Sequence, residues 1–187
     1  CMANSVAILV GDTKHWLPEI VEKAKAMTID VGTNRAADLG PLVSPQAKQR
    51  VEGLIASGVE QGATLLLDGR NPQVDGFDKG NFVAPTIFSE VNTDMDIYAQ
   101  EIFGPVMCMM EADDIDSAID IVNANPNGNG TSIFTNSGWN ARHYENNIDV
   151  GQIGINIPIP VPVAYFSFTG SRASKLGDLG PNGQQAV

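Results

Sequence analysis

Short apolar runs alternate with amphipathic helical segments along most of this chain, and this order constrains the fold more than any other feature. The first predicted helix repeats Leu17, Ile20, Val21 and Ala24 at the i, i+3, i+4 and i+7 spacing of one helix face. The same alternation continues with apolar runs at 5–11, 63–67, 106–110, 131–135 and 151–157 and with helical segments that start near Ser44, Asp113 and Trp139. Strands that alternate with helices favour a parallel sheet with right-handed crossovers. The sequence therefore predicts an α/β fold, with three α/β/α layers around a mostly parallel open sheet.

Prolines decide two details of this prediction. Ser44 followed by Pro45 provides an N-cap oxygen and a preset φ, which predicts the start of a helix that ends near Gly62. The predicted inner face of this helix consists of four apolar residues, Val51, Leu54, Ile55 and Val59. Pro85 lies inside the extended run 81–88 and donates no backbone hydrogen bond. We therefore expect that run to form an edge strand or a bend rather than a central strand.

Length, composition and charge exclude several classes of protein. The 187 residues, of which 43% are apolar, suit one domain with its own hydrophobic core. No apolar run approaches the roughly 20 residues that span a bilayer, so the sequence predicts no membrane contact. The formal net charge of −11 repels phosphate backbones and argues against nucleic-acid binding.

The two cysteines, Cys1 and Cys108, are too few for a disulfide framework and indicate a reducing compartment. Cys108 lies in an apolar run and is predicted to be a buried structural thiol. Cys1 leaves two interpretations open, an accidental terminal thiol or a nucleophile whose thiolate is favoured at a helix N-terminus and attacks a carbonyl carbon. A chain that begins Cys-Met and has no signal-peptide pattern is expected to be a piece of a longer, unsecreted protein.

The segment Gln100–Val106 places a carboxylate and an aromatic ring beside a Gly-Pro turn, a pattern that by itself predicts only a loop that enters a strand. The sequence Glu-Ile-Phe-Gly-Pro within it resembles the loop of the aldehyde dehydrogenases that packs on the nicotinamide end of NAD. The resemblance implies that Glu101 hydrogen-bonds the nicotinamide ribose and that Phe103 contacts the nicotinamide. Segments similar to that family also occur in the expected order at 37–42, 81–86 and 151–156, so the resemblance covers essentially the whole chain.

The resemblance also implies that Cys1 is the catalytic nucleophile. In that family the general-base Glu, the oxyanion-donating Asn and the NAD-binding fold all precede the nucleophile. We therefore expect residues 1–187 to be the cysteine-bearing catalytic domain, with the NAD-binding domain absent from this chain, and the whole enzyme to be a homo-oligomer. Loss of one oxyanion donor typically slows a reaction on the order of 100-fold to 1000-fold, so the chain alone is expected not to act as a dehydrogenase.

The last third indicates a branch of the family. Most aldehyde dehydrogenases have Pro-Phe-Gly-Gly followed by Lys, whereas this chain has the proline-rich segment 156–162 and then Phe-Ser-Phe-Thr-Gly-Ser-Arg at 166–172. This combination is similar to the CoA-acylating methylmalonate-semialdehyde dehydrogenases, in which the aldehyde is oxidised to propionyl-CoA or acetyl-CoA in the cytoplasm or the mitochondrial matrix. The similarity implies NAD as cofactor, CoA as co-substrate and Phe168 as a wall of the substrate tunnel. A polyproline spacer or partner ligand is the alternative for the proline-rich segment.

Other side chains carry weaker expectations. His15 and His143 are isolated in sequence, so we expect both to be solvated and expect no metal site. Arg172 and Lys175 are candidates for the phosphates of CoA, and the favoured alternative is exposed charges without partners. Asn127 and Asn182 stand where the family has Tyr after Pro, which fits either a solubilised surface or natural drift.

Two further classes of function remain open at this stage. One is a non-catalytic α/β interaction module, and the other is a CoA-dependent acyltransferase with the thiol as acyl carrier. The second class leaves Glu101 and Phe103 without a role. Preferential alkylation of Cys1 over Cys108 separates a catalytic origin from an interaction module.

Overall fold

Helices and strands alternate in the structure, a computed structural model that describes residues 3–177 and 179–186. They fall into a first unit, Ser5–Glu111, and a second unit, which consists of Ala3, Asn4 and the described residues from Ala112 onward. The elements of the first unit are β1 (Val6–Val10), a 3-10 helix (Gly11–Trp16), α1 (Leu17–Lys25), α2 (Pro45–Glu60), β2 (Thr64–Leu67), β3 (Thr86–Ser89), α3 (Asp96–Ala99) and β4 (Val106–Ala112), whose last residue begins the second unit. Those of the second unit are α4 (Ile115–Ala124), β5 (Asn127–Gly128), β6 (Gly130–Ile133), α5 (Gly138–Asn147), β7 (Gln152–Ile155), β8 (Ser171–Arg172) and a 3-10 helix (Gly183–Ala186).

The first unit is built on a four-stranded sheet in the order β1-β4-β3-β2. Strands β3 and β4 are parallel, with Ile87 opposite Met107 and Phe88 opposite Cys108, whereas β2 runs antiparallel to β3. The predicted α/β class with a mostly parallel sheet is therefore confirmed, and β2 is its antiparallel member.

Helices cover both faces of this sheet. Successive strand residues point to opposite faces, and both faces carry apolar residues. The core on one face consists of the buried residues Leu9, Leu17, Ile87 and Met109. Ile20, Val21 and Ala24 of α1 pack against it. Phe88 and Cys108 follow in register on the opposite face. There the ring of Phe88 lies against Gly58 of α2. The three predicted layers are thus present in the first unit.

Helix α2 is capped as the sequence predicts, but its inner face differs at one position. The Ser44 hydroxyl oxygen accepts a hydrogen bond from the backbone N–H of Ala47 at 3.1 Å. The buried residues of the helix are Val51, Leu54, Ile55 and Gly58. Val59, predicted to face inward, is 45% exposed. The i+7 position after Val51 is Gly58, where a Cβ would lie 2.9 Å from Cδ1 of Ile97, so a glycine permits the close approach of the helix to its neighbours.

The expectation that the run 81–88 avoids the centre of the sheet is wrong. Strand β3 lies between β4 and β2, and all four of its residues are buried. It begins at Thr86, one residue after Pro85, so the proline ring removes no ladder hydrogen bond. The backbone N–H of Thr86 donates to the carbonyl of Pro105 at 2.8 Å.

The second unit has its own small core between α4, α5 and the β6–β7 pair. Its buried residues are Ile119, Tyr144 and Ile148, and Ile133 and Ile153 pack against them. Strands β6 and β7 are parallel, and β5 and β8 are antiparallel. Across the described ranges, no helix is long and apolar enough to span a membrane.

Candidate functional site

The loop that joins α3 to β4 is held by one guanidinium group. Arg50, which projects from α2, donates from Nη2 to the carbonyl of Glu101 at 2.6 Å and from Nη1 to the carbonyl of Ile102 at 2.7 Å. Hydrogen bonds from a charged donor are shorter and stronger than neutral ones, and the planar fork fixes the direction of both carbonyls. The course of the backbone at Glu101 is thereby fixed to α2.

The following residues of the loop are held by packing. Ile102 is buried, and the Cα of Gly104 lies so close to α2 that a Cβ would be 2.7 Å from Cγ2 of Val51. Pro105 accepts the hydrogen bond from Thr86 that begins the β3–β4 ladder. The loop is therefore fixed on both sides of Phe103.

Phe103 has two features that a structural residue rarely combines. Its φ of 58° lies in the left-handed region, which large side chains seldom adopt, and its side chain is 74% exposed. An exposed aromatic ring on a residue whose backbone is held in an uncommon conformation adds little to the hydrophobic core, and it indicates a contact with another molecule.

An open cleft of about 510 Å³ lies beside this loop. Its walls are Pro41–Val43, Ala47 and Arg50 on one side and Glu101–Phe103 on the other. The backbone N–H of Leu42 donates to the carbonyl of Asn81 at 2.9 Å. Two of the segments that resembled the family, 37–42 and the Glu101 loop, thus line one cleft, and the segment 81–86 is hydrogen-bonded to the first of them.

A hydrogen-bond network around Asp96, which sequence reasoning missed, anchors the start of the loop. The carboxylate accepts hydrogen bonds from Ser57 of α2 and from Gln61, the C-cap residue of that helix, both at 2.9 Å, and from Gln100 at 3.0 Å. The hydrogen bonds from Ser57, Gln100 and Gln61 lower the pKa of the Asp96 carboxyl. The sequence gives only a weak signal for this network, because its members lie on two elements far apart in the chain.

The thiol of Cys108 is buried, as predicted, and faces α3. Its Sγ donates to the carbonyl of Ile97 at 3.4 Å. Burial raises the pKa of Cys108 to about 12, so the group is a thiol rather than a thiolate at neutral pH. Cys1, the predicted nucleophile, lies outside the described residues.

Phe168, predicted to line the substrate tunnel, lies in the second unit and is partly buried. The hydroxyl of Thr169 donates to the carbonyl of Gly151 at 2.7 Å, and Nε2 of Gln152 donates to the carbonyl of Thr169 at 2.9 Å. The structure therefore brings Glu101 and Phe103 together in the first unit and fixes the backbone after Phe168 in the second.

Two expectations about basic residues are wrong. His143, expected to be solvated, stacks on Trp139 with ring centroids 4.6 Å apart and has Nε2 2.5 Å from Oδ1 of Asp116. Arg172, for which an exposed charge without a partner was favoured, is largely buried and forms an ion pair with Asp149 at 3.1 Å. Both pairs join residues far apart in sequence, which a pattern along the chain does not reveal. Lys175 also has an interaction within the protein.

The remaining polar expectations concern His15, Asn127 and Asn182. His15 is exposed, with Nδ1 2.6 Å from the carbonyl of Asp12. Asn127 is exposed on β5, and the carbonyl of Asn182 accepts a hydrogen bond from Ser167 at 3.2 Å. Within residues 3–177 and 179–186, no group of three or more His, Cys, Asp or Glu side chains is arranged to hold a metal ion.

Comparison with known proteins identifies the class of protein. The fold is that of an aldehyde dehydrogenase catalytic domain, since a crystal structure of an aldehyde dehydrogenase from Mycobacterium tuberculosis complexed with NAD+ matches 100% of this chain with a TM-score of 0.88 at 31% identity. The profile of the aldehyde dehydrogenase family matches residues 1–187. The chain belongs to the aldehyde dehydrogenase family.

Two relatives belong to one branch of that family. A Bos taurus protein named methylmalonate-semialdehyde/malonate-semialdehyde dehydrogenase (acylating, mitochondrial) is 57% identical over 187 residues. A crystal structure of a methylmalonate-semialdehyde dehydrogenase from Oceanimonas doudoroffii matches with a TM-score of 0.96 at 41% identity. All of this chain is covered in both comparisons, but only 35% of the bovine protein and 38% of the bacterial one. The chain therefore spans little more than a third of the length of these relatives.

Proposed function

We propose that this chain forms the cysteine-bearing, nicotinamide-contacting part of a CoA-acylating aldehyde dehydrogenase that oxidises methylmalonate or malonate semialdehyde. The observation that carries the proposal is the fixed Glu101–Gly104 loop, which exposes the ring of Phe103 beside an open cleft. The bovine relative, 57% identical, carries this activity in its name. An interaction module would need neither the strained φ of Phe103 nor the two hydrogen bonds from Arg50.

The residues of the loop fit the nicotinamide end of NAD. Phe103 offers an exposed aromatic face for a flat ring, and the exposed carboxylate of Glu101 accepts hydrogen bonds from ribose hydroxyls. Bound NAD supplies the acceptor for the hydride that the aldehyde carbon loses. Arg50 fixes the backbone carbonyls of Glu101 and Ile102 and so orients both contact residues.

The covalent chemistry is proposed for the thiol of Cys1. Its thiolate adds to the aldehyde carbon, and after that carbon has lost hydride the acyl group remains on Sγ as a thioester. The thiolate of CoA then attacks the acyl carbon and releases the Cys1 thiolate. The substrate carboxylate leaves as CO2, and the carbon that it leaves takes up a proton, which gives propionyl-CoA or acetyl-CoA. Cys108 does not fit this role, because burial keeps it protonated and out of reach of an aldehyde.

The wider setting of the site is part of the same proposal. Phe168 is a wall of the aldehyde pocket, the NAD-binding domain of the whole enzyme is its partner, and the whole enzyme is a homo-oligomer. The proposed compartment is the mitochondrial matrix or the bacterial cytoplasm, since the bovine relative is named mitochondrial and a bacterial relative has a solved structure.

The NAD contact is tested with two phenylalanine variants of the full-length enzyme. Phe103→Ala is expected to raise the KM for NAD about tenfold, equivalent to about 1.4 kcal/mol, without a change in Tm, because the ring contributes little to the core. Phe77→Ala, which removes a 47% exposed ring from the same unit, is the matched control and is expected to leave that KM unchanged. An unchanged KM for NAD in Phe103→Ala would refute the contact.

The nucleophile is tested by alkylation and mutation. In the full-length enzyme, iodoacetamide is expected to modify Cys1 and to abolish NADH formation from methylmalonate semialdehyde, whereas Cys108 reacts only after unfolding because its pKa is about 12. Peptide mass spectrometry identifies the modified residue. Cys1→Ala is expected to eliminate activity and Cys108→Ala to retain it. Activity in Cys1→Ala would remove the covalent mechanism.

A further inference from the structure

The side chain of Arg172 on β8 has five oxygen contacts, as many as its guanidinium has N–H donors. Nε donates to the carbonyl of Asn125 at 2.8 Å, and Nη2 donates to the carbonyls of Val122 at 3.2 Å and Asn127 at 2.8 Å. Nη1 donates to the carbonyl of Asp149 and lies 3.1 Å from Oδ2 of the same residue. All three side-chain nitrogens are thus in contact with oxygen atoms of the protein rather than available for a phosphate group.

The Arg172 guanidinium lies at the C-terminus of helix α4, where a positive charge is favourable. Val122 belongs to the last turn of α4, and Asn125 is the C-cap residue of that helix. Carbonyl groups at a helix C-terminus lack partners within the helix and attract a positive charge. Arg172 therefore joins the end of α4 to β5 and to the backbone at Asp149.

The backbone of Arg172 is held in an uncommon conformation. Its φ of 54° lies in the left-handed region, which a residue with a long side chain rarely adopts. Gly128 leaves the space for the guanidinium, since a Cβ there would lie 2.9 Å from both Cζ and Nη2 of Arg172. Such a conformation persists only where the surrounding contacts determine it.

The contacts continue without a gap from Arg172 toward Phe168. The hydroxyl of Ser171 donates to Oδ1 of Asp149 at 2.5 Å. A Cβ on Gly151 would lie 2.5 Å from the Cα of Gly170, so these two backbones touch. Thr169 is bonded to Gly151 and Gln152, as described above. Each residue between Phe168 and Arg172 is thus fixed to the segment 149–152.

We propose that Arg172 is a positioning residue that sets the place of Phe168 in the wall of the aldehyde pocket. The inference rests on the proposed function, which gives Phe168 that role. Arg172 itself touches neither the aldehyde nor CoA, because each of its three side-chain nitrogens contacts oxygen atoms of the protein and its side chain is only 20% exposed. Its loss therefore changes the fit of the aldehyde and leaves the affinity for CoA intact.

The first test uses Arg172→Lys in the full-length enzyme. Lysine keeps the charge but has three donors instead of five, so at least two contacts are lost. The expected result is a KM for methylmalonate semialdehyde raised about tenfold, with KM values for CoA and NAD within about twofold of wild type. A raised KM for CoA with an unchanged KM for the aldehyde, or no change in any KM, would overturn the proposal.

A pair of glycine variants tests the same contacts with Arg172 intact. Gly128→Ala places a Cβ against the guanidinium, whereas a Cβ on Gly130 would meet only Cγ of Pro160 at an ordinary 3.8 Å. Gly128→Ala is expected to reproduce the raised KM for the aldehyde, and Gly130→Ala to behave as wild type. If both variants match wild type, the positioning role is overturned even where Arg172→Lys fails to fold.

Hydrogen–deuterium exchange separates this inference from the proposed function. Peptides that cover residues 167–171 are expected to exchange faster in Gly128→Ala and Arg172→Lys, while peptides that cover β3 in the first unit exchange as in wild type. Unchanged exchange at 167–171 overturns the inference whatever the activity. Absence of NADH formation from either semialdehyde by the wild-type enzyme, with CoA and NAD present, overturns the proposed function instead.

Discussion

At the scale of single residues, a few polar side chains hold the loops that carry the candidate contacts. Arg50 binds two successive carbonyls of the Glu101 loop, Arg172 binds four carbonyls and a carboxylate, and Asp96 accepts three hydrogen bonds. The resemblance to a family pointed to Glu101 and Phe103 but not to the residues that hold them. Their partners are backbone atoms or distant side chains, which no motif records.

The hydrogen bonds to Asp96 predict a pH dependence of stability. Because they lower the pKa of the folded carboxyl below its ordinary value of 3.8, their contribution is fully present above that value. The contribution is lost as the pH falls through the lower folded pKa. Asp96→Asn cannot accept the same set of hydrogen bonds, so its Tm is expected to be lower than that of wild type near neutral pH. The difference is expected to shrink below about pH 4.

Thermal unfolding followed by circular dichroism at several pH values checks this expectation. Asp94→Asn, which changes an exposed carboxylate two residues earlier, is the control and is expected to leave the Tm near neutral pH unchanged. A Tm difference for Asp96→Asn that stays constant down to about pH 3 would contradict the role assigned to the carboxylate.

At the scale of elements, α2 is the platform for both the core and the candidate site. One face of the helix packs on the sheet through Leu54, Ile55 and Gly58, and Val51 and Arg50 support the Glu101 loop. Two glycines, one within this helix and one packed against it, predict opposite effects of the same substitution, because the first is open to solvent and the second is in close contact.

Gly104→Ala and Gly53→Ala form this pair. A Cβ on Gly104 would lie 2.7 Å from Val51, and such overpacking typically costs about 1–3 kcal/mol of unfolding free energy. Gly53, within α2, has nothing within 4 Å of an added Cβ, so alanine there is expected to stabilise the protein by about 0.5–1 kcal/mol. Urea unfolding measures both free energies. An unchanged or higher unfolding free energy in Gly104→Ala would show that the close approach at Gly104 is incorrect.

At the scale of the whole molecule, net charge and exposed apolar surface have opposite effects on association between molecules. The net charge of −11 at neutral pH keeps molecules apart, while Val163, Tyr165 and Phe166 of the second unit are exposed. Repulsion disappears near the pI of about 4.4. Exposed apolar side chains are then free to associate.

We therefore expect the solubility of the chain to be lowest near pH 4.4 and high near neutral pH. Static light scattering across this range measures association. Because the effect comes from net charge, moderate salt near neutral pH screens the repulsion and is expected to increase scattering. A scattering maximum far from the pI would contradict the explanation.

The sequence by itself determined the alternation of strands and helices, the cap at Ser44, the burial of Cys108 and the loop at Glu101 that enters a strand. These features depend on periodicity and local backbone chemistry, or on a motif, and so can be inferred without the fold. Only the tertiary structure decided that β3 is central, that Gly58 rather than Val59 faces inward, and that Arg172 is enclosed by carbonyl groups. These features are strand order, close helix packing and contacts between distant segments. They depend on which surfaces come into contact after folding, and local sequence patterns do not specify those contacts.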